Sequence, residues 1–200
     1  AGKWDRRGAK PARRVRGSTL GLVSFGRIAR GLAQRAQGFG VQILAFDPYV
    51  SAPEMEVCGV EKVDLDGLLT RSDLISVHAP LTEATHHLLG REELERVKPG
   101  AVLVNTSRGP VVDNEALADA LKSGRLWAAG LDVMEQEPLP AESALRQLDN
   151  VTFTPHVGAS TDQSKADLYR TACEIACEVL AGRRPASVVN PEVKPWFEHG

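Results

Sequence analysis

Short apolar runs alternate along the chain with segments whose apolar residues recur at helical spacing. The first run, residues 19–24, precedes a helix-period segment whose predicted inner face holds Ile28, Leu32 and Ala36. Further runs predict strands over residues 41–46, 60–63, 74–77, 101–104, 128–133 and 151–154. Strands that alternate with helices are typical of parallel βαβ units with right-handed crossovers. The pattern therefore predicts a doubly wound parallel α/β sheet, which binds ligands beyond the carboxyl ends of its strands.

Helix boundaries divide the chain further. Asp113 is a predicted N-cap and Gly124 the matching stop, and a long helix is expected over residues 161–180. We predict a basic lead-in over residues 1–17, a domain containing the sheet over residues 18–165, and a helix and tail over residues 166–200.

Composition excludes several classes of protein. A hydrophobic content of 42% and a net charge of −2 are ordinary for a soluble globular protein, and no apolar run is long enough to span a bilayer. Cys58, Cys173 and Cys177 make no disulfide framework, which favours the reducing cytoplasm. Two thiols without a nearby histidine make a poor ligand set, so no metal site is expected.

The first 17 residues carry seven cations against one acid, Asp5. A basic arm of this kind can bind nucleic acid. A solvated lead-in is favoured instead, because the only aromatic residue there is Trp4 and no binding motif follows.

The first predicted strand leads into Ser24-Phe-Gly-Arg-Ile-Ala29, where a dinucleotide fingerprint would read G-x-G-x-x-G. Gly26 lets the backbone approach a pyrophosphate at the helix N-terminus, and Ala29 is an accepted variant of the last glycine. Ser24 departs from the pattern. If its position needs a positive φ, we expect a cost of roughly 1 kcal/mol and tighter NAD binding by Ser24→Gly.

The residue after the second strand is also informative. Asp47 stands where a carboxylate accepts hydrogen bonds from ribose hydroxyls and repels a 2′-phosphate, which favours NAD over NADP. The alternative is that Asp47-Pro48 only starts a turn. Arg27 either contacts the pyrophosphate or is a solvated helix cation.

Three further residues follow apolar strand-like runs: Arg108, Glu137 and His156. A guanidinium can clamp a carboxylate, and an imidazole oriented by a neighbouring carboxylate can exchange a hydroxyl proton near neutral pH. Downstream of a nucleotide-binding pattern, this set predicts a dehydrogenase. The other histidines, His78, His86, His87 and His199, are interpreted as structural or surface residues.

These motifs together resemble the D-isomer-specific 2-hydroxyacid dehydrogenase family. The similarity extends from about Thr19 to Pro191, with features of phosphoglycerate dehydrogenases and of the branch containing the C-terminal-binding-protein corepressors. It rests on Leu22-Val-Ser-Phe-Gly-Arg-Ile28, Phe46-Asp-Pro-Tyr49, His78-Ala-Pro-Leu-Thr82, Val104-Asn-Thr-Ser-Arg-Gly109, Gly130-Leu-Asp-Val133, Glu137-Pro138 and Thr154-Pro-His-Val-Gly-Ala-Ser-Thr161.

The resemblance implies a role for each matching residue. Arg108 would bind the carboxylate and carbonyl of a 2-keto acid, His156 would exchange the proton, and Glu137 would keep His156 protonated. The implied cofactor is NAD, contacted by Ser24, Gly26, Arg27, Ile28, Asp47, Pro80, Thr106 and Asp132.

Each catalytic assignment has a structural alternative. Arg108 could pair with Asp113, Glu137 could be a plain surface acid, Asp132 could cap a turn, and His156 could simply enter a helix.

The resemblance also implies a homodimer formed through the nucleotide domain. It further implies a substrate domain that these residues lack, so that one wall of the cleft is expected to be missing. The alternative function is an NAD(H)-binding regulatory or corepressor-like module without turnover.

Overall fold

The computed structural model describes residues 13–192. The chain divides after His156 into two compact units. Most of the basic lead-in, residues 1–12, and the end of the tail with His199 lie outside the described residues.

The first unit is built on a seven-stranded parallel sheet, which confirms the predicted fold class. In chain order the strands are β1 (Thr19–Val23), β2 (Gln42–Phe46), β3 (Glu61–Lys62), β4 (Leu74–Val77), β5 (Ala101–Asn105), β6 (Leu126–Leu131) and β7 (Val151–Phe153). Their spatial order is β3-β2-β1-β4-β5-β6-β7. The strand order reverses between β1 and β4, and a crevice at the carboxyl edge is expected at such a switch point.

Helices connect these strands. They are α1 (Arg27–Ala36), α2 (Ala52–Glu56), α3 (Leu65–Arg71), α4 (Arg91–Arg96) and α5 (Asn114–Lys122). Short 3₁₀ turns cover Gln37–Phe39, Glu83–Thr85, Gly109–Val111 and Ala144–Gln147. Asp113 caps α5 as predicted, accepting from Glu115 N and Ala116 N, and Gly124 follows the helix at φ +76°.

Two clusters of buried side chains pack against the sheet. The smaller cluster joins α1 and α2 to β1 and β2, and the larger joins α3, α4 and α5 to the other strands. Burial alternates along β5, where Ala101, Leu103 and Asn105 are buried but Val104 is exposed. One face of this half of the sheet is thus less covered than the other.

Two local predictions were wrong. Ile28 is 74% exposed, whereas Ala36 is buried as predicted and Leu32 is partly buried. Helix α1 also buries Ala29 and Ala33, whose small side chains let the helix approach the sheet closely. Strand β6 begins at Leu126, two residues before the predicted start, and its pairing with β5 is irregular between Ala101 and Val102. It ends at Leu131, although Asp132 N still donates to Asn105 O at 3.0 Å.

The second unit contains α6 (Asp162–Leu180), close to the predicted 161–180. Thr161 caps it, its side chain accepting from Ser164 N at 3.0 Å. Within residues 13–192, no helix is long and apolar enough to cross a membrane.

Candidate active site

The turn between β1 and α1 has the geometry of an anion-binding turn. Ser24 lies at φ +74°, in the left-handed region, so the condition that the sequence left open is met. Gly26 is the N-cap of α1 and has no side-chain cap, and the first turn of α1 contains no acid. A Cβ added to Gly26 would meet no atom within 4 Å. Because the first N–H groups of a helix have no partner within the helix, this uncapped turn suits a pyrophosphate.

Asp47 closes the same turn from the end of β2. It is only 7% exposed, and its Oδ2 accepts from Phe25 N at 2.8 Å and from the Ser24 hydroxyl at 3.1 Å. Its Oδ1 accepts from Tyr49 N at 2.9 Å. Burial alone would raise the pKa of Asp47, but the donors from Phe25, Tyr49, Ser24 and Val50 together lower it below its ordinary value. Asp47 therefore supports its own turn, and it also stands as a carboxylate beside the nucleotide turn.

A loop after β5 presents Arg108. The buried Asn105 shapes this loop: its Oδ1 accepts from Ser107 N and its Nδ2 donates to Arg108 O, both at 3.0 Å. The Arg108 guanidinium is exposed and donates to Ser107 O. Asp113, the alternative partner suggested by the sequence, caps α5 instead. Arg108 thus has a backbone fixed by Asn105 and a side chain that is accessible to an anionic ligand.

The loops after β6 and β7 bring Glu137 and His156 together. His156 Nδ1 lies 2.9 Å from Glu137 Oε2, while Glu137 Oε1 accepts from Met134 N at 3.0 Å. The hydrogen bond from His156, followed by that from Met134, lowers the pKa of Glu137 below its ordinary value. The pair is accessible, with side chains 51% and 39% exposed. An imidazole with one nitrogen fixed by a carboxylate is arranged for proton transfer at the other.

The backbone of His156 is unusual. Its φ is +55°, and its N–H donates to Asp132 O at 2.9 Å. Asp132 is buried and accepts from the Thr154 hydroxyl. Left-handed backbone in a non-glycine residue persists only where its surroundings over-determine it. Asp132 thus stabilises the turn that contains His156, which agrees with the alternative that Asp132 caps a turn.

Gly109 brings the loop of Arg108 against the loop of Glu137, a contact that sequence reasoning missed. A Cβ on Gly109 would fall 1.8 Å from Met134 O and 2.5 Å from Glu135 N. Real Cβ atoms essentially never approach this closely, so only glycine fits. The glycine after Arg108 is visible in the sequence, but its partner is 25 residues away, and no local signal points to it.

His87, interpreted from the sequence as a structural or surface residue, contacts two segments next to the site. It has a φ of +50°, and its N–H donates to Pro110 O at 2.8 Å. Its ring stands between two acids, with Nε2 at 3.4 Å from Glu135 Oε1 and Nδ1 at 3.9 Å from Asp113 Oδ2. Nε2 is buried, and its contact with Glu135 Oε1 is not a hydrogen bond, so that Nε2 has no hydrogen-bond partner within the described part of the chain. His87 thus links the segments that follow Arg108 and precede Glu137.

These residues fall into two groups at the carboxyl edge of the sheet. Ser24, Gly26, Arg27 and Asp47 form the nucleotide end, and Arg27 and Ile28 are exposed at the start of α1. Pro80 and Thr106 are exposed just after β4 and β5. At the other end, Asp132, Glu137 and His156 line a cavity of about 540 Å³ with apolar neighbours such as Leu139 and Phe153. Arg108, on the adjacent loop, is not among the residues that line it.

A parallel sheet with a nucleotide turn at its switch point, and with a histidine–carboxylate pair on the same edge, defines a dinucleotide-dependent oxidoreductase domain. The chain belongs to the D-isomer-specific 2-hydroxyacid dehydrogenase family, whose NAD-binding-domain model matches residues 1–158. NAD is therefore the cofactor of this domain.

Individual relatives and solved structures agree with this family membership. A glyoxylate reductase of Korarchaeum cryptofilum is 45% identical over 179 residues, covering 90% of this chain and 54% of that protein. A D-3-phosphoglycerate dehydrogenase of Methanocaldococcus jannaschii is 42% identical over 94% of this chain and 36% of its own length. The holo D-mandelate dehydrogenase of Rhodotorula graminis superposes with a TM-score of 0.85 at 35% identity, covering 92% of this chain and 54% of that one. The chain thus spans about half the length of these relatives or less.

Proposed function

We propose that the protein is an NAD-dependent oxidoreductase that interconverts a small D-2-hydroxy acid and its 2-keto acid. The observation that carries the proposal is the 2.9 Å contact between His156 Nδ1 and Glu137 Oε2, on the same sheet edge as an NAD-type turn. A domain that only binds NAD has no use for an accessible imidazole oriented by a carboxylate.

The residues divide the chemistry among them. Arg108 binds the carboxylate of the substrate and polarises its carbonyl, because a guanidinium can donate to both groups at once. During reduction His156 gives the carbonyl oxygen its proton from Nε2, the nitrogen that Glu137 does not occupy. In the reverse direction the same nitrogen accepts the hydroxyl proton. NAD, when bound, supplies the hydride acceptor or donor.

The residues at the nucleotide end fit this cofactor. The uncapped first turn of α1 suits the pyrophosphate, and Gly26 leaves room for it. Asp47 suits the adenosine ribose and excludes a 2′-phosphate by its charge. Ile28, Pro80 and Thr106 would line the groove, and Asp132 would lie toward the nicotinamide.

Turnover tests the proposal directly. NADH oxidation is measured with glyoxylate, hydroxypyruvate and pyruvate, using this chain and a version extended upstream by its natural sequence to the length of the relatives. We expect the longer protein to reduce at least one of these acids, and this chain alone to be much less active, because it spans about half the length of the relatives or less. Tight NADH binding by both proteins without turnover by either would contradict the proposal and favour a regulatory module.

We also propose a homodimer formed through the nucleotide domain. Exposed Val104 and Trp127, on neighbouring strands β5 and β6, support it by offering apolar surface on the less covered half of the sheet. Light scattering coupled to gel filtration should report twice the monomer mass for the wild type and a lower mass for Val104→Glu. Val57→Glu, at a 90% exposed position after α2, is the matched control. A dimer that survives Val104→Glu would place the interface elsewhere.

A cytoplasmic location is the remaining part of the proposal. Cys58, Cys173 and Cys177 are all free thiols, and free thiols persist in a reducing compartment. Fractionation of cells that express the tagged full-length protein would test it, and recovery in a membrane or extracellular fraction would contradict it.

A further inference from the structure

Ser24 is a serine in a position where the backbone favours glycine. At φ +74° its Cβ crowds its own carbonyl, which is why such positions in dinucleotide turns are usually glycine. A serine that only tolerated this backbone would leave its hydroxyl toward solvent. The Ser24 hydroxyl instead donates to Asp47 Oδ2 at 3.1 Å.

This hydrogen bond has a particular place among the contacts of Asp47. Among its backbone donors, Phe25 N at 2.8 Å comes from the nucleotide turn and Tyr49 N at 2.9 Å comes from the turn of Asp47 itself. Ser24 supplies the side-chain donor, and it shares Oδ2 with Phe25. Substitution can therefore remove this one donor and leave the backbone contacts in place.

The donors counter the effect of burial. Asp47 is 7% exposed, and desolvation on its own favours the neutral carboxyl group. The Ser24 hydroxyl belongs to the set of donors that nevertheless lowers the pKa of Asp47. A charged carboxylate in a fixed orientation is what distinguishes a ribose 2′-hydroxyl from a 2′-phosphate, because it accepts from the first and repels the second.

We propose that Ser24 is a cofactor-specificity residue, whose hydroxyl fixes the Asp47 carboxylate and so increases the preference of this chain for NAD over its 2′-phosphorylated form. Ser24 acts through Asp47 and is a positioning residue. The inference rests on binding of the cofactor and not on turnover, so a failure of the proposed dehydrogenase activity would leave it intact.

Two substitutions separate the hydroxyl from the backbone strain. Ser24→Ala removes the hydroxyl and keeps a Cβ in the left-handed region, whereas Ser24→Gly removes both the hydroxyl and the strain. If the hydroxyl sets the preference, both variants lose it to a similar extent. If only strain matters, Ser24→Gly tightens binding of both cofactors and the ratio of their affinities stays constant.

The measurement is the ratio of Kd for NADPH to Kd for NADH, obtained with the unmodified full chain and each variant by calorimetry. We expect Ser24→Ala and Ser24→Gly to lower this ratio by about threefold to tenfold, as for one lost hydrogen bond to a charged group among several. Asp47→Asn provides the upper limit of the effect.

Ser123→Ala is the control, because Ser123 also donates its hydroxyl, to Ala120 O at 3.1 Å, but at the end of α5. Its ratio should equal that of the wild type. Thermal melting of every variant establishes that it is folded at the temperature of titration. A ratio unchanged in both Ser24 variants, or absence of NADH binding by the wild type, would overturn the inference.

Discussion

The nucleotide end and the proton-transfer end of the sheet edge are built in opposite ways. Asp47 is 7% exposed and receives donors from Ser24, Phe25 and Tyr49, so its surroundings fix it before any ligand arrives. Glu137 and His156 are 39% and 51% exposed and chiefly fix each other. The nucleotide end is therefore preorganised within this domain, whereas the proton-transfer end is held mainly by its own two side chains and is open to solvent.

Backbone strain occurs at both ends. Among the described residues, the non-glycine positions with positive φ are Ser24, His87 and His156. Ser24 adjoins the nucleotide turn, His156 is the proposed acid/base, and His87 faces acids near the loops of Arg108 and Glu137. Strained residues commonly gather at functional sites, where surrounding contacts maintain them. In this molecule the strain marks the edge of the sheet where both ends of the site lie.

The largest expected effect comes from making the same substitution at two glycines, Gly109 near the proton-transfer end and Gly26 at the nucleotide end. The result tests whether the two ends differ as described. Gly109→Ala should destabilise the fold by about 2–4 kcal/mol and displace Arg108, because the new Cβ would meet the backbone of Met134. Gly26→Ala should change stability by less than about 0.5 kcal/mol, since its Cβ would enter open space. The same substitution should weaken NADH binding about tenfold by crowding the pyrophosphate.

Urea unfolding gives the two stabilities and fluorescence titration gives the two affinities. Equal destabilisation by Gly109→Ala and Gly26→Ala would show that the close contact at Met134 is not what requires glycine.

The next effect tests the proton-transfer end in the full-length protein. His156→Asn should lower kcat/KM by about 10²–10⁴ while stability stays within about 1 kcal/mol, because asparagine tolerates the left-handed backbone at φ +55°. Glu137→Gln should lower it less.

Initial rates over a range of substrate concentrations give kcat/KM for both variants. A Glu137→Gln enzyme with wild-type kcat/KM would make Glu137 a surface acid, the alternative that its sequence context left open. His156→Asn with wild-type turnover would remove His156 from the mechanism.

The sequence predicted the fold and named the candidate site residues, but it did not predict the contacts between loops. Apolar runs located the strands because most strands bury a large part of their side chains, as β1 does from Leu20 to Val23. The glycine pattern also marked Ser24 as the position where a positive φ would be costly. Ile28 was misplaced because a three-four periodicity does not reveal that alanines, rather than larger residues, meet the sheet.

The contact of Gly109 with Met134 and that of His87 with Glu135 could not be predicted. Both join segments that are distant in sequence, and neither leaves a periodic or compositional trace. A histidine between two acids becomes visible only when the sheet brings its loops together.

A smaller effect concerns acid stability and sharpens the contrast between the two ends. The folded pKa values of Asp47 and Glu137 both lie below their ordinary values. Each carboxylate therefore contributes stability that is fully present above its unfolded pKa, about 3.9 or 4.3, and that is lost as pH falls through its folded pKa. Asp47→Asn should cost about 1–3 kcal/mol at pH 7, since a buried charged acceptor is lost. Glu137→Gln should cost less than about 1 kcal/mol, because the Glu137 side chain is 39% exposed and screened by water.

Urea midpoints measured from pH 7 to pH 3 check this ordering. For both variants the difference from wild type should shrink as the solution becomes acidic. A Glu137→Gln deficit as large as that of Asp47→Asn would mean that the two ends are equally preorganised.

The smallest expected effect is on NADH affinity, and it tests whether Arg27 contacts the cofactor or belongs only to the solvated surface of α1. Arg27 is exposed in the first turn, beside the uncapped N–H groups, and Arg35 lies in the last turn with its guanidinium on Gly31 O at 2.7 Å. An exposed cation near a pyrophosphate contributes little, so Arg27→Gln should raise Kd for NADH about twofold to fivefold at low salt. The difference should vanish near 1 M salt, where the Debye length falls to about 3 Å. Arg35→Gln, which removes the same charge from the far end of the same helix, should leave Kd unchanged. Equal effects of the two substitutions would indicate a general response to net charge and would assign Arg27 to the solvated surface.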